Sequence, residues 1–143
     1  MSEEENEALM RRFWEEVFNK GNLKVIDELV HPDCINHGAP SGPTTGIDAI
    51  KQLVPMIRDA FPDAHLAIED MIAKGDRVIT RTTYSGTHRG TYQGIAPTGR
   101  QFTQTQIHIA KWVDGKMLEH WANRDDLGLM QQLGAIAAPG TGA

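Results

Sequence analysis

The second half of this chain contains four runs in which polar and apolar residues alternate. They are "HLAIEDMIA", "DRVITRTTYSGTH", "QFTQTQIHIAKW" and "KMLEHWANRD". Alternation of this kind is the pattern of a strand, whose successive side chains project to opposite faces. The last two runs are separated by "VDGK", residues 113–116. Asp-Gly between two alternating runs is a strong signal for a tight hairpin. The neighbouring strands therefore run antiparallel, and the first half of the chain must supply whatever covers them.

That first half reads as helical. Across residues 3–20, Leu9, Phe13 and Val17 recur at four-residue steps, with Met10, Trp14 and Phe18 beside them. The stripe is wide, which predicts a helix covered on more than one side. "NKGN" ends it, with Gly21 suited to the position after the last turn. "LKVIDELV" predicts a second short helix, stopped by His31-Pro32 because the residue before proline avoids helical geometry. "CINHGAPSGPTTG" reads as a loop. "IDAIKQLVPMIRDAF" reads as a third helix, capped by Asp48 and kinked or broken at Pro55. A final helical turn is expected in "DLGLMQQLG". Helices first and strands afterwards indicate the α+β class, with helices on one face of a curved antiparallel sheet. The 143 residues fit one domain, 1–135, followed by a flexible tail, 136–143.

The net charge of -5 is mild, and no basic block exists to neutralise phosphates, so nucleic acid is not an expected partner. Cys34 is the single cysteine, which rules out an internal disulfide and a thiolate metal cluster. The six histidines (31, 37, 65, 88, 108 and 120) show no paired metal-ligand spacing. No apolar run is long enough for a membrane span, and the acidic start "MSEEENEALM" has no secretory signal pattern. The expectation is a cytoplasmic protein without membrane association.

Continuous alternation through the 113–116 hairpin places Gln104, Gln106, His108, Ala110 and Trp112 on one face with Glu119, Trp121, Asn123 and Asp125. Such a mixture suits a cavity with apolar walls and a few convergent polar groups. It also suits a solvated polar face, except that Trp112 and Trp121 would then be exposed. The opposite face carries Ile107, Ile109 and several threonines, as expected for a sheet packed on another subunit. A lone loop histidine such as His37 or His88 is most often solvated. His31, His65 and His120 read as structural or surface residues.

Four segments then resemble the SnoaL-like polyketide cyclase, or ester cyclase, family of the nuclear-transport-factor-2-like superfamily. They are "FWEEVFNKGNLKVIDELVHPDCINH", "GTHRGTYQGIAPTGR", "VDGKMLEHW" and "WANRDDLGLMQQLG", in family order and spacing from about Phe13 to Gly134. The resemblance implies a cone-shaped barrel, with a strongly bent sheet wrapped around a long helix and a cavity open at one end. It implies a homodimer packed sheet against sheet. In this fold the first strand often lies near "CINH". It implies an intramolecular aldol cyclisation of an aromatic polyketide ester, with no metal or organic cofactor. The family's acid/base aspartate, four residues after the tryptophan, matches Asp125, and the family histidine on the neighbouring strand matches His108. Asp126 points to the other face if the strand continues.

The chemistry suits that assignment. Removing a proton beside a carbonyl needs a base, and burial strengthens a carboxylate for that role. The enolate oxygen needs a donor, for which His108 is the candidate. Trp14, His37, His88, Ile95, Trp121 and Asn123 are the candidate substrate contacts, for an apolar or aromatic small molecule. Three other readings remain open at this stage. One is a ligand-binding protein without turnover. Another is epoxide hydration by Asp125 and Arg81 with a second carboxylate such as Glu119. The third is an isomerase using Tyr84.

Overall fold

The structure, a computed structural model, describes residues 1–137; most of the expected tail lies outside the described residues. Helix α1 spans Glu3–Arg12, with Ser2 capping it through a bond from Glu5 N–H. The chain continues without interruption as a π-helical segment, Phe13–Asn19. A short helix α2, Lys24–Leu29, leads into strand β1, Val30–Asn36. Strand β2, Thr44–Thr45, precedes helix α3, Ile47–Ala60. Strands β3, His65–Lys74, β4, Arg77–Thr87, β5, Gln101–Val113, and β6, Lys116–Arg124, follow. Helix α4, Asp126–Gln132, ends the described fold.

The six strands form one sheet in the order β2-β1-β6-β5-β4-β3. The α+β class is as expected, with the helices on one face. Two details differ from the expectation. The sheet is open rather than closed into a barrel, and it is mixed, because β1 pairs parallel with β6. "CINH", which its composition marks as loop, falls in β1 as far as Asn36 and pairs there. Asp114 and Gly115 both have positive φ (50° and 79°), the geometry of a two-residue hairpin whose twist matches its strands.

Apolar positions of the first half account for the core. Met10, Phe13, Trp14 and Val17 are buried against the sheet together with Val25, Ile26 and Leu29. The expected long helix is present, but from Phe13 it winds more widely, and nothing in the sequence marks the change. The indole Nε1 of Trp14 donates to Thr80 Oγ1 on β4 at 3.3 Å, tying the π-helical segment to the sheet centre. Helix α3 runs unbroken through Pro55, and its first turn has no side-chain cap; Asp48 lies inside it.

The glycine-rich connection between β4 and β5 is ordered by its first residues. The backbone N–H groups of Arg89 and Gly90 both donate to Ala60 O at the end of α3. A Cβ at Gly90 would lie 2.4 Å from Asp59 O, so glycine is required here by close backbone approach. Gln93 and Gly94 then turn the chain with positive φ, closing a small bridge between Tyr92 and Ile95. Gly90→Ala should therefore destabilise the fold by about 1–3 kcal/mol, the usual cost of overpacking. Urea denaturation measures it, and an unchanged midpoint would remove the close contact from the account.

Candidate active site

One irregularity decides which side chains face the helices. Near the turn β5 and β6 pair as the hairpin dictates, with Val113 opposite Lys116 and Trp112 opposite Met117. The next pair is Lys111 with Glu119, so Leu118 is an extra residue in β6. A one-residue slip moves every following side chain to the other face. His108 consequently lies opposite Ala122, Gln106 opposite Arg124 and Ala110 opposite His120. The inner face of β6 thus carries His120, Ala122 and Arg124. Glu119, Trp121 and Asn123 turn outward, paired with Lys111, Ile109 and Ile107.

Between this inner face and the helices lies a cavity of about 40 Å³. Its apolar wall includes Trp14, Phe18, Ile57, Phe61 and Leu66, and its polar wall includes Gln104, Gln106, His108 and Arg124, with Tyr84 and Tyr92 at the side. None of its lining residues is a carboxylate. Pro40 lines both this cavity and a wider outer cleft of about 270 Å³, formed by residues 39–44 and α3. Arg124 Nη1 donates to Gly38 O, which fixes the start of the 39–44 segment.

The polar wall is hydrogen-bonded from end to end. Asn36 Oδ1 lies 2.7 Å from His120 Nδ1, and His120 Nε2 lies 2.9 Å from His108 Nδ1. His108 Nε2 lies 2.7 Å from Gln106 Oε1. Gln106 Nε2 donates to Gln104 Oε1 at 2.8 Å, and Gln104 Nε2 donates to Asp126 Oδ1 at 3.0 Å. Burial holds both imidazoles neutral. For His108, desolvation acts first, then His120 and Arg124, and the ring is pushed well below the usual histidine range. For His120, desolvation, Arg124 and His37 bring it down to about 3. Burial also lowers the Arg124 guanidinium, opposed by Asp126, Tyr92 and Tyr84. Burial pushes the Cys34 thiol up to about 11, so it is no thiolate nucleophile at neutral pH.

A family model described as SnoaL-like polyketide cyclase matches residues 8–133. The chain belongs to this family. It is 35% identical to the nogalonic acid methyl ester cyclase of Streptomyces nogalater over 123 residues, 82% of this chain and 89% of that protein. It is 33% identical to the aklanonic acid methyl ester cyclase DnrD of Streptomyces peucetius, covering 88% of each. The solved structure of TsrD from Streptomyces laurentii superposes with a TM-score of 0.86 at 29% identity, covering 95% of this chain and 99% of that one.

Within that family frame, the expected site residues divide sharply. Trp14 and His108 meet at the cavity, their rings 4.5 Å apart. Asp125 does not line it. The strand ends at Arg124, and Asp125 becomes the exposed cap of α4, its Oδ1 accepting from Gly128 N–H at 2.9 Å. Asp126 does not follow the alternation, because the helix begins there, and its carboxylate returns to Gln104. Trp121 and Asn123 face outward because of the Leu118 bulge. His37 is outside too, stacked on Trp121 at 5.2 Å and bonded to Glu119 at 3.0 Å. His88 is fully buried, but its Nδ1 accepts from Thr98 N–H at 3.2 Å and organises the β4–β5 connection. Ile95 is half-buried and absent from the cavity lining, where its partner Tyr92 stands instead. Arg81 is paired with Asp70 at 2.7 Å on the exposed side, which separates it from any epoxide-type site with the cavity groups.

Alternation did not place Arg124 and His120 on the inner face of β6, nor Asp126 against Gln104. The bulge hid the first two, and the helix start hid the last. Among the described residues, no helix is long and apolar enough to cross a membrane.

The neutral imidazole pair gives the fold a pH dependence of known sign. A histidine held neutral in the fold binds its proton more readily in the unfolded chain. The stability it contributes is complete above about 6.5 and falls as the pH drops toward 3. The loss from His120 is on the order of a few kcal/mol. Urea denaturation at pH 7, 5 and 4 should show a shallower decline for His120→Gln than for the native chain. Equal slopes would remove the buried pair as its source.

Proposed function

We propose that this chain is a cofactor-independent cyclase that closes a ring in an aromatic polyketide methyl ester by an intramolecular aldol reaction. The observation that carries the reading is the two-walled cavity. Aromatic side chains form one wall, and a half-buried guanidinium with two amides and an imidazole forms the other. The names of the ester cyclases to which the chain is similar supply the substrate class. A polyketide is larger than 40 Å³, so its ring system would rest in the outer cleft, and its reacting end would pass Pro40 into the cavity.

In this reading Asp126, exposed at the Gln104 end of the polar wall and outside the cavity lining, is the proton carrier for a substrate that extends from the cavity to it. It takes the proton from the carbon beside a carbonyl, and the C–H electron pair moves into the enolate. Arg124 stabilises the enolate oxygen and then the alkoxide formed when the new carbon–carbon bond closes. A cation held in place beforehand stabilises charge that develops at that oxygen. Asp126 then returns its proton to the alkoxide, leaving the protein unchanged. His108, with both ring nitrogens engaged in the polar wall, positions Gln106 and does not itself donate to the enolate.

The outer face supports a homodimer. Ile72, Ile79, Ile109 and Trp121 lie side by side in register across β3, β4, β5 and β6, with Ile107 beside them half-exposed. A continuous apolar row on an otherwise solvated sheet suits a second copy of the same face. Sedimentation should report a dimer that Ile107→Asp dissociates, and a monomeric native chain at micromolar concentration would overturn this part.

The two adjacent aspartates separate catalysis from folding. Asp126→Asn should lower kcat roughly a hundredfold to ten-thousandfold on a polyketide methyl ester while leaving the fold intact. Asp125→Ala should cost about 1 kcal/mol of stability through the lost cap and leave kcat near native. Steady-state kinetics beside denaturation curves check both. A fully active Asp126→Asn variant would overturn the assignment. Binding of the ester without product formation by the native chain would favour a ligand-binding protein.

A further inference from the structure

The inner face of β4 carries Val78, Thr80, Thr82 and Tyr84, all buried. The two threonine hydroxyls are engaged. Thr80 Oγ1 accepts from the Trp14 indole, and Thr82 Oγ1 donates to Gln106 Oε1 at 3.3 Å. Tyr84 stands beyond them, opposite Leu66 on β3 and Gln104 on β5, with its ring against Phe61 and Phe102. Among the described residues no hydrogen bond engages its hydroxyl, and that oxygen is not sealed in the core: the enclosed side-chain atoms left without a partner are His88 Nε2 and Trp112 Nε1. The cavity that Tyr84 lines is the space onto which the hydroxyl opens.

Arg124 lines the same cavity with donors to spare. A guanidinium offers five N–H donors. Among the described residues one bond engages it, from Nη1 to Gly38 O, and no carboxylate forms an ion pair with it. The charged and titratable groups acting on Tyr84 are Tyr92, Arg124, Arg58 and Asp63. Three of them are bonded elsewhere. Arg58 donates to Phe18 O and Asn19 O, Asp63 accepts from Thr87, and the Tyr92 hydroxyl accepts from Gln93 Nε2. Arg124 keeps most of its donors and Tyr84 keeps its only one, both at the cavity. Burial holds the Tyr84 phenol above its usual range, so it stays protonated at neutral pH and serves as a donor rather than a base.

A cation and a neutral donor on one small cavity suit oxygen that gains negative charge. A methyl ester, the substrate class proposed above, brings no such charge into the site, so the charge must arise in the reaction. A polyketide has carbonyls on alternate carbons. Loss of a proton from the carbon between two of them gives a planar enolate whose charge is shared by two oxygens. The geometry points to Tyr84 as a catalytic donor that acts with Arg124, the phenol and the guanidinium each bonding one oxygen of a 1,3-dicarbonyl enolate. The C–H electron pair passes into the enolate, and the Tyr84 hydroxyl keeps its own proton throughout. The pair thereby favours a proton flanked by two carbonyls over one beside a single carbonyl, because a simple enolate leaves one donor without a partner. The catalytic meaning rests on the cyclase reading. Enolate binding is measured without turnover and does not depend on which group removes the proton.

Acetylacetone is the probe, its neutral and enolate forms distinguished by ultraviolet absorbance in a titration with protein. The native chain should bind the enolate roughly a hundredfold more tightly than the neutral form, and Tyr84→Phe should reduce that preference roughly tenfold. Arg124→Lys, which keeps the charge and loses the planar fork, should reduce it as well. On a polyketide methyl ester Tyr84→Phe should lower kcat roughly a hundredfold with little change in KM, at a urea midpoint close to native. Equal binding of both forms by the native chain would overturn the inference, as would a Tyr84→Phe variant with native enolate preference and native kcat. Acetate that competes as well as the enolate would make this a general carboxylate site and overturn the 1,3-dicarbonyl assignment. Tyr84-dependent enolate binding by a native chain that leaves the ester unchanged would keep the donor pair and remove the cyclase reading. Turnover of the ester that Tyr84→Phe does not slow would do the reverse.

Discussion

Leu118 is the residue on which the arrangement of the site depends. A two-residue hairpin at Asp114-Gly115 imposes a regular register, and that register alone would bring Trp121, Asn123 and Asp125 to the face of His108. The bulge at Leu118 rotates the rest of β6 by one face and delivers His120, Ala122 and Arg124 instead. The exchange is favourable on both sides of the sheet. Trp121 gains the His37 ring as a stacked partner outside, with Arg77 5.6 Å from its ring centroid. Inside, Ala122 is small enough to let Gly38 approach; a Cβ on Gly38 would lie 2.8 Å from the Ala122 methyl.

The inward turn of Arg124 and His120 places polar groups where burial is costly, and the structure answers with partners. Arg124 meets Gly38 O, His120 meets Asn36 and His108, and the two glutamines bond to each other. A buried polar group without a partner costs about 1–3 kcal/mol, so a row of this length survives only because its members satisfy one another. The same connectivity restricts what each can do. His108 lies in the cavity wall, and both of its ring nitrogens are engaged, one with His120 and one with Gln106.

Much of the architecture is legible in the sequence. The four alternating runs give β3 to β6 within a residue or two, and the helical stripes place α1, α2 and α3. The parallel pairing of β1 with β6 is a long-range contact that no local pattern carries; "CINH" has the composition of a loop and becomes a strand because β6 offers it an edge. The inner face of β5 is read correctly from alternation, since Gln104, Gln106 and His108 all line the cavity. The inner face of β6 is not, because alternation is blind to an inserted residue. The glycines of "GTHRGTYQGIAPTGR" are visible as a special segment, yet Gly90 is needed for contact with the end of α3 rather than for a turn.

The tandem aspartates show why strand geometry does not say which carboxylate meets the polar wall. Counting along β6 assigns Asp125 to one face and Asp126 to the other, but only if the strand continues, and it stops at Arg124. From there Asp125 adopts the cap position, and its carboxylate is occupied by Gly128 N–H, leaving it no direction toward the cavity. Asp126, the first helical residue, is turned back over β5 and meets Gln104. The strand end, the cap and the returning carboxylate are therefore one device. The capping bond of Asp125 starts the helix, and the helix start aims Asp126 at the polar wall. A change at Asp125 removes the capping bond to Gly128, whereas a change at Asp126 removes the bond to Gln104 in the polar wall.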